Sequence, residues 1–408
     1  MKTNISIVVA GSVDSGKSTF IGVIYSNKLD DGNGYLRNKV CKHKHEKESG
    51  RTSDISVKVI YKNNKIIELI DLCGHSKYLK TTLYGITGYF PDYSIITVAA
   101  NRGVLPMTKE HLGILLYLKI PIIIIITKID ITPKKIYENT INNLSKILKK
   151  SIFKRIPVYF NLNENVEKKL MKYAPIIKVN SKYIPIITVS NKNGDNIDIA
   201  RKFILSLEPR FKWEKISGCG IFYIEDNFTP PGMGLILYGI LNGEKIKVGD
   251  KVLLGPYNKE YISVNIWSIH DCKRNSIKYL ENGQRGCIGI RINKKLSFSR
   301  KDIRKGMVLL NNNKLIKNTC YEFDADITIL NHSTTIKNNY CAVIHCGVIK
   351  QTAKIYLENN EKIRIGDNAR VRFKFLNYPE LLFKNSTFFF REGKTRGVGI
   401  IKEIYTIN

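Results

Sequence analysis

The sequence of 408 residues lacks any long apolar run. The longest one extends from Ile120 to Ile126 and contains Pro121, whereas a membrane-spanning helix needs about 20 apolar residues. We therefore interpret this run as a buried strand and expect no membrane partner. We also expect no secretory signal, since residues 1–4 lead directly into a strand pattern.

Acidic residues and closely spaced cysteine pairs are scarce too. The eight Cys include no C-x-x-C pair, which indicates a reducing compartment such as the cytoplasm. Lys and Arg number 66 against 35 Asp and Glu, a net charge of +31, and such an excess indicates a polyanionic partner, with RNA the first candidate. The coding bias of an AT-rich genome is the alternative source of this charge. Such a coding bias is typical of an AT-rich protist or a giant virus. If a virus encodes the protein, we expect it to act in the cytoplasm of the host.

A phosphate-binding loop is the clearest feature that is present. Residues 11–18 match G-x-x-x-x-G-K-[ST] at every fixed position, between a strand pattern at 5–10 and a helix pattern at 18–26. The loop amides are expected to cradle a triphosphate, with Lys17 on the outer phosphates and Ser18 on Mg²⁺. The predicted phosphate-binding residues are Gly11, Val13, Asp14, Ser15, Gly16, Lys17, Ser18, Thr19 and Gly74.

A second motif, D-x-x-G-H, follows a strand pattern at residues 65–70. Asp71 at the strand end is suited to hold Mg²⁺ through water, and the Gly74 amide to sense the γ-phosphate. His75 is placed to orient the attacking water. The motif predicts hydrolysis as well as binding of the nucleotide.

Two further strand ends carry a guanine-binding pattern. Residues 127–130, TKID, follow the strand pattern at 121–126, and a carboxylate at Asp130 accepts two hydrogen bonds that guanine offers and adenine does not. Another strand pattern, 183–189, runs into a segment suited to a backbone contact with the base. The predicted guanine-binding residues are Thr127, Lys128, Asp130, Ser190, Asn191 and Lys192.

In this order the four motifs resemble those of the translational GTPases, the group of elongation factor Tu and elongation factor 1-alpha. His75 and Asp14 mark that group, and residues 45–53 and 71–82 resemble the GTP-binding protein 1 and 2 subfamily. The resemblance implies that Thr52 binds Mg²⁺ beside Ser18 and Asp71, and that His75, Lys17 and Thr52 are catalytic. It also makes Asp14 a candidate ligand of a monovalent cation.

Three residues depart from the family pattern. Thr127 replaces the commoner Asn, which predicts a weaker tie between the base-reading and phosphate loops. Cys73 stands where elongation factor Tu has Pro, which predicts a more flexible loop. Arg51 occupies a position that is apolar in elongation factor Tu, beside the catalytic His.

The remaining sequence changes character after the linker-like residues 207–210. Short apolar runs with Gly and Pro punctuation predict small antiparallel β-barrels, and Asn242-Gly243 predicts a hairpin. We expect an α/β P-loop GTPase domain at 1–207 and two antiparallel β-barrels at 212–313 and 317–408. The family resemblance covers nearly the whole chain and is weak at 139–181 and 255–305.

The resemblance implies a monomer that acts with aminoacyl-tRNA and the ribosome. General elongation and a role in ribosome rescue or RNA surveillance both stay open. So does a GTP-switched binding module, for RNA decay or protein interaction, with little hydrolysis. Candidate RNA-phosphate contacts are Arg391, Lys394 and Arg396, for which stabilisation of the barrel is the alternative.

Several other groups have a plainer interpretation than a functional one. Cys41, His43, His45 and Glu46 are expected to form a solvated loop rather than a metal site. His345 and Cys346 alternate along a strand, so with Cys341 they are interpreted as core and surface rather than zinc ligands. Phe388–Phe390 are expected in a buried barrel strand rather than stacking on RNA, and His111 is expected to pack or cap its helix.

Overall fold

The computed structural model of the protein describes residues 3–41, 43–49, 52–62, 64–150, 154–160, 165–210, 218–293, 298–331, 335–357, 362–393 and 395–406. Arg51, Lys394 and the side chain of His45 lie outside the described part. The chain divides into two compact units, residues 1–86 with 90–212, and residues 87–89 with 213–408. Within the described residues, no helix is long and apolar enough to cross a membrane.

The first unit is built on a seven-stranded sheet. Its strands are β1 (Thr3–Gly11), β2 (Ser56–Lys62), β3 (Lys65–Asp71), β4 (Tyr93–Ala99), β5 (Ile122–Thr127), β6 (Ile156–Phe160) and β7 (Tyr183–Thr188). Their order across the sheet is β2-β3-β1-β4-β5-β7-β6. All neighbours are parallel except β2, which runs antiparallel to β3. Every residue of β4 and β5 is buried, as expected of parallel strands covered on both faces.

Helices follow these strands along the chain. They are α1 (Lys17–Ser26), α2 (Tyr35–Val40), α3 (Lys44–Ser49), α4 (Leu79–Gly88), α5 (Pro106–Tyr117), α6 (Lys134–Lys149), α7 (Val166–Val179) and α8 (Ile197–Ser206). Short 3-10 turns occupy Ser76–Tyr78 and Ile129–Ile131. The four nucleotide motifs come directly after β1, β3, β5 and β7. Because parallel strands end at the same edge, the fold gathers the motifs there.

The second unit begins with a closed barrel. Its strands are β8 (Gly220–Phe228), β9 (Leu235–Gly243), β10 (Ile246–Lys247), β11 (Lys251–Tyr257), β12 (Glu260–Asp271), β13 (Tyr279–Leu280), β14 (Arg285–Arg291) and β15 (Val308–Leu310). The barrel order is β11-β12-β14-β9-β8-β15, and β10 pairs with β13 outside it. A 3-10 turn at Arg300–Asp302 leads towards β15.

The predicted hairpin at Asn242-Gly243 is wrong. Gly243 does take a left-handed φ of 91°, but the next strand, β10, pairs with β13 instead of β9. The physical reason is that β9 already bonds to β8 on one edge and to β14 on the other. No edge of β9 is left for a hairpin partner.

A second barrel completes the unit. After a 3-10 turn at Ile316–Asn318, its strands are β16 (Thr319–Asn331), β17 (Tyr340–Cys346), β18 (Ile349–Tyr356), β19 (Asn368–Phe375), β20 (Glu380–Leu381), β21 (Thr387–Glu392) and β22 (Thr395–Thr406). The sheet order is β19-β18-β17-β21-β22-β16-β20, and a further β16–β19 pairing closes the ring.

Aromatic rings fill this second barrel. Phe388–Phe390 are fully buried, and Phe388 packs edge-on against Phe323 and Phe373 at 5.6 and 5.3 Å between ring centroids. Gly397 leaves room for this packing, since an added Cβ would lie 2.1 Å from the Phe390 ring. The interpretation as a buried strand is confirmed, and stacking of these rings on RNA is excluded.

His345 and Cys346, which point to opposite faces of β17, are both buried. Cys346 belongs to the core of the second barrel, and His345, on the opposite face of the strand, is also fully buried. The expectation that one of the two lies at the surface is therefore wrong. It fails because the outer face of β17 is covered at His345, although Cys341 and Val343 on the same face are partly exposed.

Contacts between the two barrels centre on a buried carboxylate. Apolar residues of the first barrel, Val308 among them, pack with Leu381 of the second. Beside them the Arg304 guanidinium donates to the carboxylate of Glu380 at 2.7 Å. The Gln351 side-chain amide donates to the same oxygen at 2.7 Å. Burial raises the pKa of Glu380 to about 7, although Arg304 and Gln351 oppose the rise.

This shift predicts a pH dependence of stability. Because the pKa of folded Glu380 lies above its ordinary value, the folded state binds the extra proton, and its contribution to the free energy of unfolding is lost as pH rises from about 4.5 through 7. We expect unfolding by urea between pH 5 and 8 to show this loss, on the order of 2 kcal/mol. In Glu380→Gln this part of the slope should vanish. Equal slopes in both proteins would contradict the assignment.

Candidate nucleotide-binding site

A cavity of about 430 Å³ lies where the motifs meet at the edge of the sheet. The predicted residues that line it are Val13, Asp14, Gly16, Lys17, Ser18, Thr19, Thr52, Gly74, His75, Lys128, Asp130, Asn191 and Lys192. Lining residues that the sequence analysis missed are Asp30, Gly32, Asn33, Gly34, Arg37 and Ile131. One cavity thus joins the phosphate-loop residues to the guanine-reading ones.

Other predicted residues are buried and do not line the cavity; they are Gly11, Ser15, Asp71, Thr127 and Ser190. The Ser15 hydroxyl donates to the Ser12 carbonyl at 2.8 Å, and the Ser190 hydroxyl accepts the Asn193 N–H at 3.0 Å. Their side chains therefore hold the loops in shape.

The phosphate loop surrounds a buried cation. The Lys17 side chain is almost fully buried, its Nζ donates to the Ser12 carbonyl at 2.7 Å, and burial lowers its pKa. Gly74 approaches from the other side so closely that an added Cβ would lie 2.5 Å from this Nζ. A buried ammonium is costly unless an anion pairs with it, and the triphosphate that the motif predicts would supply that anion.

Oxygen atoms suited to Mg²⁺ gather next to Lys17. The Ser18 and Thr52 hydroxyls are 3.2 Å apart, and Ser18 donates to Asp71 Oδ2 at 2.5 Å. The other oxygen of Asp71, Oδ1, is buried and has no hydrogen-bond partner among the described residues. Burial raises the pKa of Asp71 to about 6 in spite of nearby Lys17. Two hydroxyls and an orphaned carboxylate oxygen fit a hard, oxygen-preferring cation.

The base-reading loop is fastened to the phosphate loop. The Thr127 hydroxyl donates to the Ser15 carbonyl at 2.9 Å, so the tie that the sequence predicts to be weaker is present at an ordinary length. Lys128 takes a left-handed φ of 62° before the turn that carries Asp130. Asp130 is exposed at the cavity, where a base can reach its carboxylate.

His75 stands at the start of a 3-10 turn and lines the cavity. Its Nδ1 accepts the Lys77 N–H at 3.1 Å, which fixes the ring on the backbone. Cys73, two residues before His75, is buried, and its carbonyl accepts a hydrogen bond from the Thr82 hydroxyl at 2.7 Å. Nε2 is therefore the ring nitrogen that the turn does not engage.

Glu46 anchors the segment that carries Thr52. Its carboxylate accepts the N–H groups of His43, Ser53 and Asp54 at 3.0, 2.7 and 3.0 Å, and the Ser53 hydroxyl at 3.0 Å. Burial alone would raise the pKa of Glu46, but these hydrogen bonds outweigh it and lower the pKa to about 2. The expectation that Glu46 lies in a solvated loop is wrong, because Glu46 lies on α3 and its side chain is fully buried.

His111 contacts the phosphate loop from behind. It lies in the middle of α5, fully buried, and its Nδ1 accepts the Gly11 N–H at 3.2 Å. Burial lowers its pKa to about 3, so the ring is neutral at physiological pH. The capping interpretation is wrong; His111 packs, and it supports the first glycine of the loop.

Known proteins are similar to this chain in sequence. A sequence model of the elongation factor Tu GTP binding domain matches residues 2–238. The chain belongs to the elongation factor Tu family of translational GTPases. GTP-binding protein 1 of Xenopus laevis is 36% identical over 431 residues, which cover 98% of this chain and 63% of that protein. Elongation factor 1-alpha of Pyrococcus horikoshii is 26% identical over 405 residues, covering 91% of this chain and 89% of that one.

A solved structure shows the same fold. Translation elongation factor SelB from Methanococcus maripaludis, in complex with the GTP analogue GppNHp, matches with a TM-score of 0.70 at 20% identity. The match covers 99% of this chain and 80% of that one. It confirms the predicted fold class, an α/β GTPase domain followed by two antiparallel β-barrels.

The Glu46 anchor leads to a prediction. Glu46→Ala would leave three backbone N–H groups without their acceptor, at a cost of about 1–3 kcal/mol for each one that stays buried. We expect hydrogen exchange at residues 43–54 to speed up at least about 10-fold, since 1.4 kcal/mol corresponds to a factor of ten. Glu138→Ala, which removes an exposed carboxylate on α6, is the matched control. Unchanged exchange in Glu46→Ala would show that the anchor does not hold this segment.

Proposed function

We propose that this protein binds GTP with Mg²⁺, hydrolyses it, and acts with aminoacyl-tRNA and the ribosome. The observation that carries the nucleotide part is the shared cavity. It combines the buried ammonium of Lys17, the hydroxyls of Ser18 and Thr52 and the exposed carboxylate of Asp130. Asp71, which does not line the cavity, contacts Ser18 from behind and has one oxygen without a partner among the described residues. This set complements a guanine nucleotide with a metal ion on its phosphates.

Each group has a distinct task at the phosphates. Lys17 and the loop amides bind the phosphate oxygens, and Ser18, Thr52 and Asp71 hold the metal ion. When bound, Mg²⁺ neutralises charge that develops on the phosphates. Because the γ-phosphate leaves on hydrolysis, Thr52 would lose its partner there and its segment would be released.

His75 is the residue that we assign to the nucleophilic water. Its Nδ1 accepts a backbone N–H, so the neutral ring carries its proton on Nε2. That edge can donate a hydrogen bond to a water oxygen and fix its position for in-line attack on the γ-phosphate. We expect full alignment only when a ribosome is bound, in keeping with the family resemblance.

Guanine selection rests on the other end of the cavity. Asp130 would accept the N1 and N2 hydrogens of guanine, while the stem of Lys128 lies against the ring. Asn191 and Lys192, which line the cavity in the loop after β7, would complete the base contact, and Ser190 holds that loop in shape. Adenine would leave Asp130 without these donors, so guanine is the preferred base.

Three lines support a role in translation. The family is that of translational GTPases, two barrels follow the GTPase domain, and the fold matches that of an elongation factor.

Exposed Lys146, Lys149 and Lys150 line a groove at the end of α6, which suits an RNA backbone. Arg391 and Arg396 in the second barrel stay predicted RNA contacts. A cytoplasmic monomer that serves elongation, rescue or surveillance is the form we propose.

The decisive experiment compares GTP hydrolysis with and without ribosomes plus aminoacyl-tRNA. We expect strong stimulation in the natural protein and a loss of at least about 100-fold in the stimulated rate of His75→Ala, as for a group that takes part directly in the reaction. Ser76→Ala, which alters the exposed neighbour of His75, is the control and should keep the rate. GTP binding without stimulation would favour the alternative, a switched binding module with little hydrolysis.

A monovalent cation at Asp14 is a further part of the proposal. Asp14 lines the cavity with a left-handed φ of 59°, and its carboxylate lies 3.4 Å from a guanidinium nitrogen of Arg102. Arg102 would compete with a cation for the same carboxylate. The pair is half-exposed on both sides, so either partner can be displaced.

We expect Arg102→Ala to lower the K⁺ concentration that gives half-maximal hydrolysis, by about 2- to 5-fold, as for loss of a weak exposed pair. The measurement is a K⁺ titration at constant ionic strength with tetramethylammonium as the replacing ion. Asp14→Asn should remove the dependence. If the natural protein hydrolyses GTP equally fast in K⁺ and in tetramethylammonium, no monovalent cation takes part.

A further inference from the structure

Arg37 enters the nucleotide cavity from a helix that carries none of the four motifs. It lies on α2 and lines the cavity together with Lys17, Ser18 and Thr52. Its neighbour Leu36 is fully buried and packs so closely on α1 that an added Cβ at Gly22 would lie 2.7 Å from the Leu36 carbonyl. The helix is thus fixed against the one that begins at Lys17.

The guanidinium of Arg37 has few partners inside the protein. Its Nη2 makes one long hydrogen bond, 3.5 Å, to the Lys47 carbonyl, and its Nε is buried without a partner among the described residues. In the described part of the chain no carboxylate forms an ion pair with it. A guanidinium has five N–H donors, so most of its hydrogen-bonding capacity is left for a ligand.

Of the three acidic residues that line the cavity, Asp14 and Asp30 are engaged elsewhere, and the third, Asp130, forms no ion pair with Arg37 among the described residues. Asp30 is the one that lies along the chain closest to Arg37, and its two carboxylate oxygens accept the N–H groups of Gly32 and Leu36 at 3.1 Å each. Asp14 pairs with Arg102. The anion that would satisfy Arg37 therefore comes from outside the protein, in the cavity where Lys17 already requires one.

We propose that Arg37 is a further phosphate-binding residue of this site, supplied in cis by α2. A planar guanidinium donates two parallel hydrogen bonds to phosphate oxygens, which an ammonium such as Lys17 does not. The assignment depends on GTP binding and not on any role with the ribosome, so the two can fail separately.

The position of Arg37 also connects the phosphates with the Thr52 segment. Its Nη2 reaches the carbonyl of Lys47 on α3, and the next residue towards the N-terminus, Glu46, holds the backbone of Ser53 beside Thr52. A phosphate held by Arg37 would therefore stabilise the same segment that Thr52 brings to the γ-phosphate. We expect binding of GTP to suffer more than binding of GDP when Arg37 is replaced.

The test measures affinity rather than turnover. Dissociation constants of a fluorescent non-hydrolysable GTP analogue and of fluorescent GDP are compared for the natural protein, Arg37→Ala, Arg37→Lys and the control Lys39→Ala. Lys39 is exposed on the same helix and lies over the Tyr35 ring, not in the cavity. We expect Arg37→Ala to weaken the GTP analogue about 10- to 100-fold, as for loss of a charge-assisted hydrogen bond.

Arg37→Lys should be intermediate, because it keeps the charge and loses the fork, and Lys39→Ala should bind within twofold of the natural protein. An equal loss for GDP would also support the proposal and place the contact on the inner phosphates. Affinities of Arg37→Ala within twofold of the natural protein would overturn it. Melting temperatures without nucleotide show whether each variant folds. If Arg37→Ala does not fold, Arg37→Gln, which keeps a polar side chain and loses the guanidinium, decides by the same affinities.

Discussion

Burial of opposite charges at the edge of the sheet is the constraint on which the site depends. Lys17 and Asp71 are both almost fully buried, and burial shifts the pKa of each towards its neutral form. Each has local partners that lessen the cost: the Ser12 carbonyl for Lys17, and the Ser18 hydroxyl for Asp71. These partners are incomplete, so the triphosphate and divalent cation that we propose would stabilise an arrangement that the protein alone leaves unfavourable.

Much of the surrounding structure keeps that edge rigid. His111 supports the first glycine of the phosphate loop, and Thr127 fastens the guanine-reading loop to Ser15. The Thr52 segment is held differently. It is pinned by hydrogen bonds to one carboxylate, Glu46, within the segment itself. A local pin can hold the segment in shape while the segment as a whole moves, which is what a nucleotide-dependent switch requires.

The sequence predicts those parts of the site that depend on neighbouring residues. A phosphate loop, a D-x-x-G-H turn and a T-K-x-D turn are local patterns, and parallel strands necessarily bring them to one edge. Arg37, Asp30 and His111 contribute through tertiary packing instead. They depend on how α2, the loop before α2, and α5 pack against the phosphate loop, and the spacing of residues in the sequence does not predict this packing. The hairpin at Asn242-Gly243 fails for a similar reason, because the tertiary pairing of β9 decides the outcome over its local turn signal.

The barrels show the same division between local and distant causes. Short apolar runs with Gly and Pro punctuation predict small β-barrels, and the rings of Phe388 and Phe390 lie in the core of the second one. The buried Glu380, in contrast, lies on a two-residue strand with no apolar pattern, and its partners Arg304 and Gln351 come from 76 and 29 residues away. A buried carboxylate with one oxygen left without a partner among the described residues costs stability. Arg304 precedes β15 of the first barrel and Gln351 lies on β18 of the second. These two donors therefore favour one arrangement of the two barrels over others with a similar apolar contact.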